Sequence, residues 1–219
     1  MRNSFEEDLK EISNELQHIT NLVLKSVTQA TESLLFADRE IAEKVIESDV
    51  LINDLTSALE EKCILITALQ NPVASDLRTV LGALKMATSL ERMGDLAVHI
   101  AKAARLRYPS KAIPEELVDT FRSMGHYAEK IVEQTHKVLA THELSVAREI
   151  ENSDDKLDEI HRELFRIVLS VDWNHGVEAA VDVTLLSRYY ERFGDHAVSI
   201  ARRVIHVVTG EPYLDTVMH

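Results

Sequence analysis

The sequence predicts an all-α protein built as two similar three-helix bundles in tandem, with six long helices. Three observations lead there. The four prolines of this 219-residue chain, with Gly176 and Gly210, fall at segment boundaries, leaving stretches long enough for helices. No stretch shows the period-two alternation of a strand. The pentapeptide ERMGD at 91–95 returns as ERFGD at 191–195, inside a longer match of ERMGDLAVHIAK to ERFGDHAVSIAR.

The elements follow in order. A first helix is expected from about Phe5 to Phe36 and a second from about Asp38 to Leu69. In QNPVASDLR, Pro72 stands where a helix must break or begin. A third helix runs on to about Leu106, and RYPSKAIPEE, with Pro109 and Pro114, is the one convincing linker. A fourth helix to about Ala140, a fifth to about Val171, the turn DWNHG and a sixth helix from about Gly176 to Val208 complete the pattern. This gives a first three-helix repeat at 1–107, a linker at 108–113, a second repeat at 114–210 and a loose tail at 211–219. Upstream of the pentapeptides, ESDVLIND aligns loosely with NSDDKLDE, pairing Asp49 with Asp154 and Asn53 with Asp158.

Composition narrows the function. A formal charge of −13 argues against a general nucleic-acid binder, which needs clustered Lys and Arg, and against simple attachment to anionic lipid. It favours cations and basic patches on partner proteins. A single cysteine, Cys63, excludes an internal disulfide and a cysteine metal cage, and its apolar surroundings predict a buried thiol. The amino terminus MRNSFEEDLK lacks the apolar core of a signal peptide, and no apolar run approaches the length that spans a bilayer. The expectation is a soluble cytoplasmic protein without direct membrane insertion. There is no Gly-rich phosphate loop, and no nucleophile–base pair marks a catalytic residue.

The repeated carboxylates carry the chemistry. On the third helix Leu77, Val80, Leu84 and Ala87 lead in one stripe into Glu91 and Asp95, and Val98 follows. On the sixth, Val177, Ala180 and Val181 lead into Glu191 and Asp195, then Val198. Each acidic pair is therefore expected to turn toward a neighbouring helix. Mirroring each helical hairpin about its turn sets Asp49 against Asp95 and Asn53 against Glu91, centred on Pro72. In the second half it sets Asp154 against Asp195 and Asp158 against Glu191. Oxygen ligands projecting inward from facing helices are the geometry of a carboxylate metal site in a bundle.

A single E-x-x-x-D on a helix is ordinarily a solvated face. Two copies, each with an acidic counterpart at mirrored distance, tip the reading toward cation binding. All-oxygen ligands suit Mg, Mn, Ca or iron. His99 continues the Glu91–Asp95 stripe and is an optional ligand or supporting group; its counterpart is Ser199. Gly94 and Gly194 cost about 1 kcal/mol each relative to Ala inside a helix, so the motif needs close helix approach or ligand access, and tight packing alone would serve equally. Arg92 and Arg192 point about 100° away from the acidic stripe, where they would form salt bridges or meet a partner, and salt bridges are the expectation. Glu15–His18 and Glu133–His136 look like di-iron E-x-x-H pairs but do not fall at matching repeat positions.

With QNPVASDLR at 70–78, ERMGD, ERFGDHAV and the looser ESDVLIN and NSDDKLD, the chain resembles the PhoU family of accessory regulators of bacterial phosphate-specific transport, over nearly its whole length. The flavour of LERMGDLAVHIAK is similar to actinobacterial members. The resemblance implies paired three-helix bundles, often dimeric. It also implies multinuclear metal sites (iron, manganese, magnesium or zinc) on Asp49, Glu91 and Asp95 in one half and Asp154, Asp158, Glu191 and Asp195 in the other. Asn53 departs from the pattern: its oxygen can bind a hard cation but brings no charge, so the first site is expected to be weaker or to hold fewer ions. The implied role is a non-enzymatic negative regulator of phosphate uptake and phosphate-starvation signalling. Its implied partners are the phosphate-sensing histidine kinase and the ATPase subunit of the phosphate ABC transporter. A carboxylate-bridged metalloenzyme and a metal-free helical scaffold are the alternatives.

Overall fold

The computed structural model describes residues 2–211, so most of the tail expected at 211–219 lies outside the described residues. Six helices form: α1 Arg2–Phe36, α2 Arg39–Gln70, α3 Ala74–Arg107, α4 Val118–Thr141, α5 Leu144–Val168 and α6 Gly176–Thr209. A 3-10 turn, Glu115–Leu117, precedes α4.

Local chemistry explains the breaks. Asp38 caps α2 by accepting a hydrogen bond from the Ile41 amide at 3.0 Å, satisfying one of the helix's unpaired first-turn donors. Asn71 closes α2 in the left-handed region, Pro72 follows, and α3 begins at Ala74. His142 and Gly210 close α4 and α6 in the same left-handed way, each returning its amide to the carbonyl four residues back. The fifth helix ends at Val168 rather than Val171, because Leu169 and Ser170 turn their amides to Phe165 and Ile167 in a tightened last turn.

Apolar spacing decides which face of each helix is buried. Ile12, Leu16, Ile19, Val23, Val27, Ala30 and Leu34 recur every three or four residues along α1, and all are buried. On α5, Val146, Ala147, Ile150, Ser153, Leu157 and Leu164 make one buried face. Each Leu, Ile or Phe so buried contributes about 1.5–3 kcal/mol. The upstream stripe of α6 departs from expectation. Val177 is 81% exposed and Val181 50%, so the apolar run leading to Glu191 lies on the surface.

The two halves share one core. α1 packs on α3, α3 on α6, α6 on α4 and α4 on α1, closing a ring of four helices; α2 lies against α1 and α3, and α5 against α4 and α6. α3 and α6 run antiparallel. Arg78, near the start of α3, lies against Gly210 at the end of α6. Arg107, at the end of α3, pairs with Asp182 at 2.6 Å and Glu178 at 2.7 Å near the start of α6. A buried hydrogen bond of 2.7 Å between Thr31 and Tyr190 ties α1 to α6, and Gly125 of α4 approaches Thr31 so closely that any side chain there would collide with it. Between the halves, Ala112 and Ile113 are buried, so the connecting segment is anchored to the core. No helix among the described residues is long and apolar enough to cross a membrane.

Two acidic seams as candidate metal centres

Both outer helical hairpins lay an aspartate of one helix against a glycine of the other. In the α2/α3 seam, Asp49 lies against the backbone of α3: a Cβ placed on Gly94 would stand 3.3 Å from Asp49 Oδ1. Asn53 donates from Nδ2 to Asp49 Oδ2 at 3.0 Å. Burial raises the Asp49 carboxyl above its ordinary value; the Asn53 hydrogen bond opposes this, the charge of Asp95 adds to it, and Lys102 and His99 oppose it. Arg92 pairs with Asp95 at 2.9 Å, as expected. His99 is exposed and stacks on Tyr189 of α6, with ring centres 5.2 Å apart.

The α5/α6 seam is tighter and more charged. A side chain on Gly194 would collide directly with Asp154 Oδ1, so the glycine is what lets this carboxylate lie on the helix backbone. Burial pushes Asp154 up to about 8, and the charges of Asp158, Asp195, Asp155 and Glu191 add to it. Burial and then Asp195 raise Glu191 to about 7, against the pull of Arg188. Asp158 is raised by burial and by Asp195, and Asp195 itself is raised by partial burial despite Arg188, Arg192 and Arg202. These carboxyls sense one another across the seam in the register that mirroring the hairpin predicts.

Several groups bear on the seams that sequence reasoning did not single out. Arg188 forms the ion pair with Glu191; Arg192 makes none among the described residues. His161 Nδ1 lies 2.9 Å from Ser187 Oγ, one turn beyond Asp158 and Glu191. The spacing Asp154, Asp158, His161 places all three on one face of α5 and was the signal for it. His196 is held below its ordinary value by burial and by Arg192 and Arg92. The two E-x-x-H pairs lead elsewhere: Glu15 binds Lys62 at 2.6 Å and His136 meets Asn21. Cys63 is a free, buried thiol, pushed up to about 11 by burial.

The donor chemistry fits a hard cation. Buried side-chain oxygens with no hydrogen-bond partner include Asp49 Oδ1 and Asn53 Oδ1 in the first seam, and Asp154 Oδ1 and Glu191 Oε2 in the second. Leaving a buried acceptor unpaired costs about 1–3 kcal/mol, more when it is charged, and a cation in each seam would complement the two oxygens there. The side chains do not already form a ligand shell. Among the described residues no three His, Cys, Asp or Glu groups converge as metal ligands. Binding would therefore draw the carboxylates inward.

Comparison with known proteins gives the fold its family. A PhoU domain matches twice, over residues 16–104 and 121–204. The chain belongs to the PhoU family. It is similar to the phosphate-specific transport system accessory protein PhoU homolog 2 of Mycobacterium tuberculosis, with 44% identity over 96% of this chain and 99% of that one. PhoU homolog 1 of Mycobacterium leprae is 43% identical over 99% and 98% of the two chains. Crystal structures of PhoU from Pseudomonas aeruginosa and of the phosphate transport system regulatory protein PhoU from Streptococcus pneumoniae superpose with TM-scores of 0.83 and 0.86, each at 28% identity over 94% of this chain and 100% or 98% of the other. Each PhoU repeat contains one seam, so the duplicated pentapeptide is the imprint of a duplicated domain.

Proposed function

We propose that this protein is a non-enzymatic, cytoplasmic accessory regulator of phosphate-specific transport. When phosphate is plentiful it restrains the phosphate ABC transporter through the ATPase subunit and helps hold the phosphate-sensing histidine kinase in its repressing state. It works as a homodimer and carries hard cations in both seams. The observation that carries this reading is the near end-to-end match to a protein named as an accessory component of phosphate-specific transport, at 44% identity. The acidic helical surface and the lack of a nucleophile–base pair suit a protein that acts by contact. The unpaired oxygens of the seams support cations as structural ligands of the surfaces that partners meet.

Deletion of the protein in its own host tests the regulatory role. A phosphate-starvation reporter should switch on in phosphate-rich medium, and the wild-type chain should silence it again. Unchanged reporter output in the deletion strain would overturn the proposal. Glu191→Ala/Asp195→Ala should restore repression poorly if the second seam shapes a partner surface.

A further inference from the structure

A polar cavity of about 340 Å³ opens between α4 and α5, on a face of α5 that the acidic seam does not use. Glu149, Ser153 and Lys156, spaced i, i+4, i+7 on α5, face Tyr127, Lys130 and Gln134, spaced i, i+3, i+7 on α4. Its two lysines against one carboxylate make the lining net positive in a chain of charge −13.

Two of these groups are costly as they stand. Ser153 is 3% exposed, and its hydroxyl makes no hydrogen bond among the described residues. Gln134 Oε1 is buried and has no partner. A buried polar group left unpaired loses its hydration without recompense, so the pair calls for an occupant that both accepts and donates. Lys130 makes no ion pair among the described residues. Lys156 meets Glu159 at 2.8 Å in an exposed pair, which is weak and easily exchanged. The first repeat closes the equivalent place by itself, at the offset that pairs Asp49 with Asp154 and the left-handed Ala37 with His142. There Leu22 and Leu51 stand for Tyr127 and Lys156, and Ser48 donates to the Val45 carbonyl at 3.0 Å.

We propose that this cavity binds a small oxyanion that still carries a proton, namely hydrogen phosphate. Lys130, Lys156 and the Ser153 hydroxyl supply charge and donors for its ionised oxygens. Glu149 and Gln134 Oε1 supply acceptors for its remaining hydrogen. Sulfate has no hydrogen to give at neutral pH, so it would set its charge against Glu149 and leave Gln134 unpaired. The site is separate from the cation seams, and the inference does not rest on them or on the regulatory reading.

The test is calorimetric titration of the full chain, as purified and after removal of metal, with inorganic phosphate, sulfate and methyl phosphate. At about pH 7.5 most of the methyl ester has no hydrogen left on its phosphate. Phosphate should bind saturably in both preparations and shift the Ser153 and Lys156 amides in NMR spectra of the wild-type protein, a readout that needs no variant to fold. Sulfate and methyl phosphate should bind at least about tenfold more weakly. Lys130→Gln, an exposed change, and Ser153→Ala should each weaken phosphate by about tenfold. Glu149→Gln should bring sulfate closer to phosphate, and Ser48→Ala should change nothing. Absence of saturable binding, or wild-type affinity in both Lys130→Gln and Ser153→Ala, would overturn the site. Equal affinity for sulfate, or tighter binding of methyl phosphate, would overturn hydrogen phosphate as its ligand. Binding that vanishes with the metal would put the anion on seam cations and overturn the proposal too.

Discussion

In the α2/α3 seam an amide, Asn53, quiets its neighbour Asp49 with a 3.0 Å hydrogen bond. In the α5/α6 seam the residue in that place, Asp158, instead repels Asp154, and burial and repulsion together push Asp154 up to about 8. The backbones follow one plan, down to a glycine under each aspartate. One amide for one carboxylate thus separates a pair that partly satisfies itself from a cluster that must take up a proton or a cation. Duplicated domains can in this way keep a scaffold and divide the work between its copies.

The largest effect that would break the comparison is on metal-linked stability. At a free metal concentration about 100 times the dissociation constant, a bound ion stabilises the fold by about 2.7 kcal/mol. Glu191→Ala/Asp195→Ala should abolish most of the metal-induced rise in melting temperature, and Glu91→Ala/Asp95→Ala should remove the smaller share. Equal losses from the two doubles, measured by thermal unfolding with and without Mn, would show that Asn53 does not distinguish the seams.

The metal-free protein should show the next largest effect, as a pH dependence. Asp154 ionises near 3.8 when unfolded and near 8 when folded, and Glu191 near 4.5 and about 7. Between those limits the native state holds protons that the unfolded chain has released, so stability falls as pH rises. It should be fully developed below about pH 4 for these two groups and lost through pH 7–8. Asp154→Asn should flatten the slope, as read by urea unfolding at pH 5, 6, 7 and 8 in chelator. Cation binding has the opposite sign, because it needs the carboxylates ionised.

Much of this was legible in the sequence because helices and hairpins are local. Pro72 and the turn before Gly176 marked the hairpins, and mirroring about them was enough to set Asp154 against Asp195. What could not be read was how the two bundles meet. The closing ring of α1, α3, α6 and α4 depends on contacts such as Thr31 with Tyr190, separated by 159 residues and carrying no periodic signal. The exposed Val177 and Val181 were misread for the same reason: periodicity says which residues share a face, and only tertiary packing says whether that face is covered. His161 lies in register with Asp158, but its hydrogen-bond partner, Ser187, is on another helix.

The glycines give a finer contrast. Gly194→Ala would drive a methyl into the Asp154 carboxylate and push it off the seam, whereas Gly94→Ala meets Asp49 Oδ1 and Ile52 at 3.3 Å, where a small shift suffices. Alanine also gains up to about 1 kcal/mol of helix propensity. Gly94→Ala should therefore be close to neutral, and Gly194→Ala destabilising by about 1–2 kcal/mol. Chemical denaturation of both variants at pH 7 in chelator checks the difference, and equal effects would mean that the glycines serve packing alone.

The smallest and most specific change is Asn53→Asp, which should make the first seam resemble the second. In chelator at pH 7 it removes the hydrogen bond to Asp49 and sets like charges four residues apart on α2, at a cost of about 1 kcal/mol. It should also steepen the loss of stability with rising pH, because Asp49 would then be raised by a neighbouring charge instead of being restrained by an amide. With Mn present the sign should reverse: a fourth carboxylate in the first seam, beside Asp49, Glu91 and Asp95, strengthens its hold on the ion, and the variant should melt above wild type. A variant that stays below wild type at every Mn concentration would show that charge at position 53 does not govern cation binding, and that the asymmetry between the seams lies elsewhere in the second hairpin.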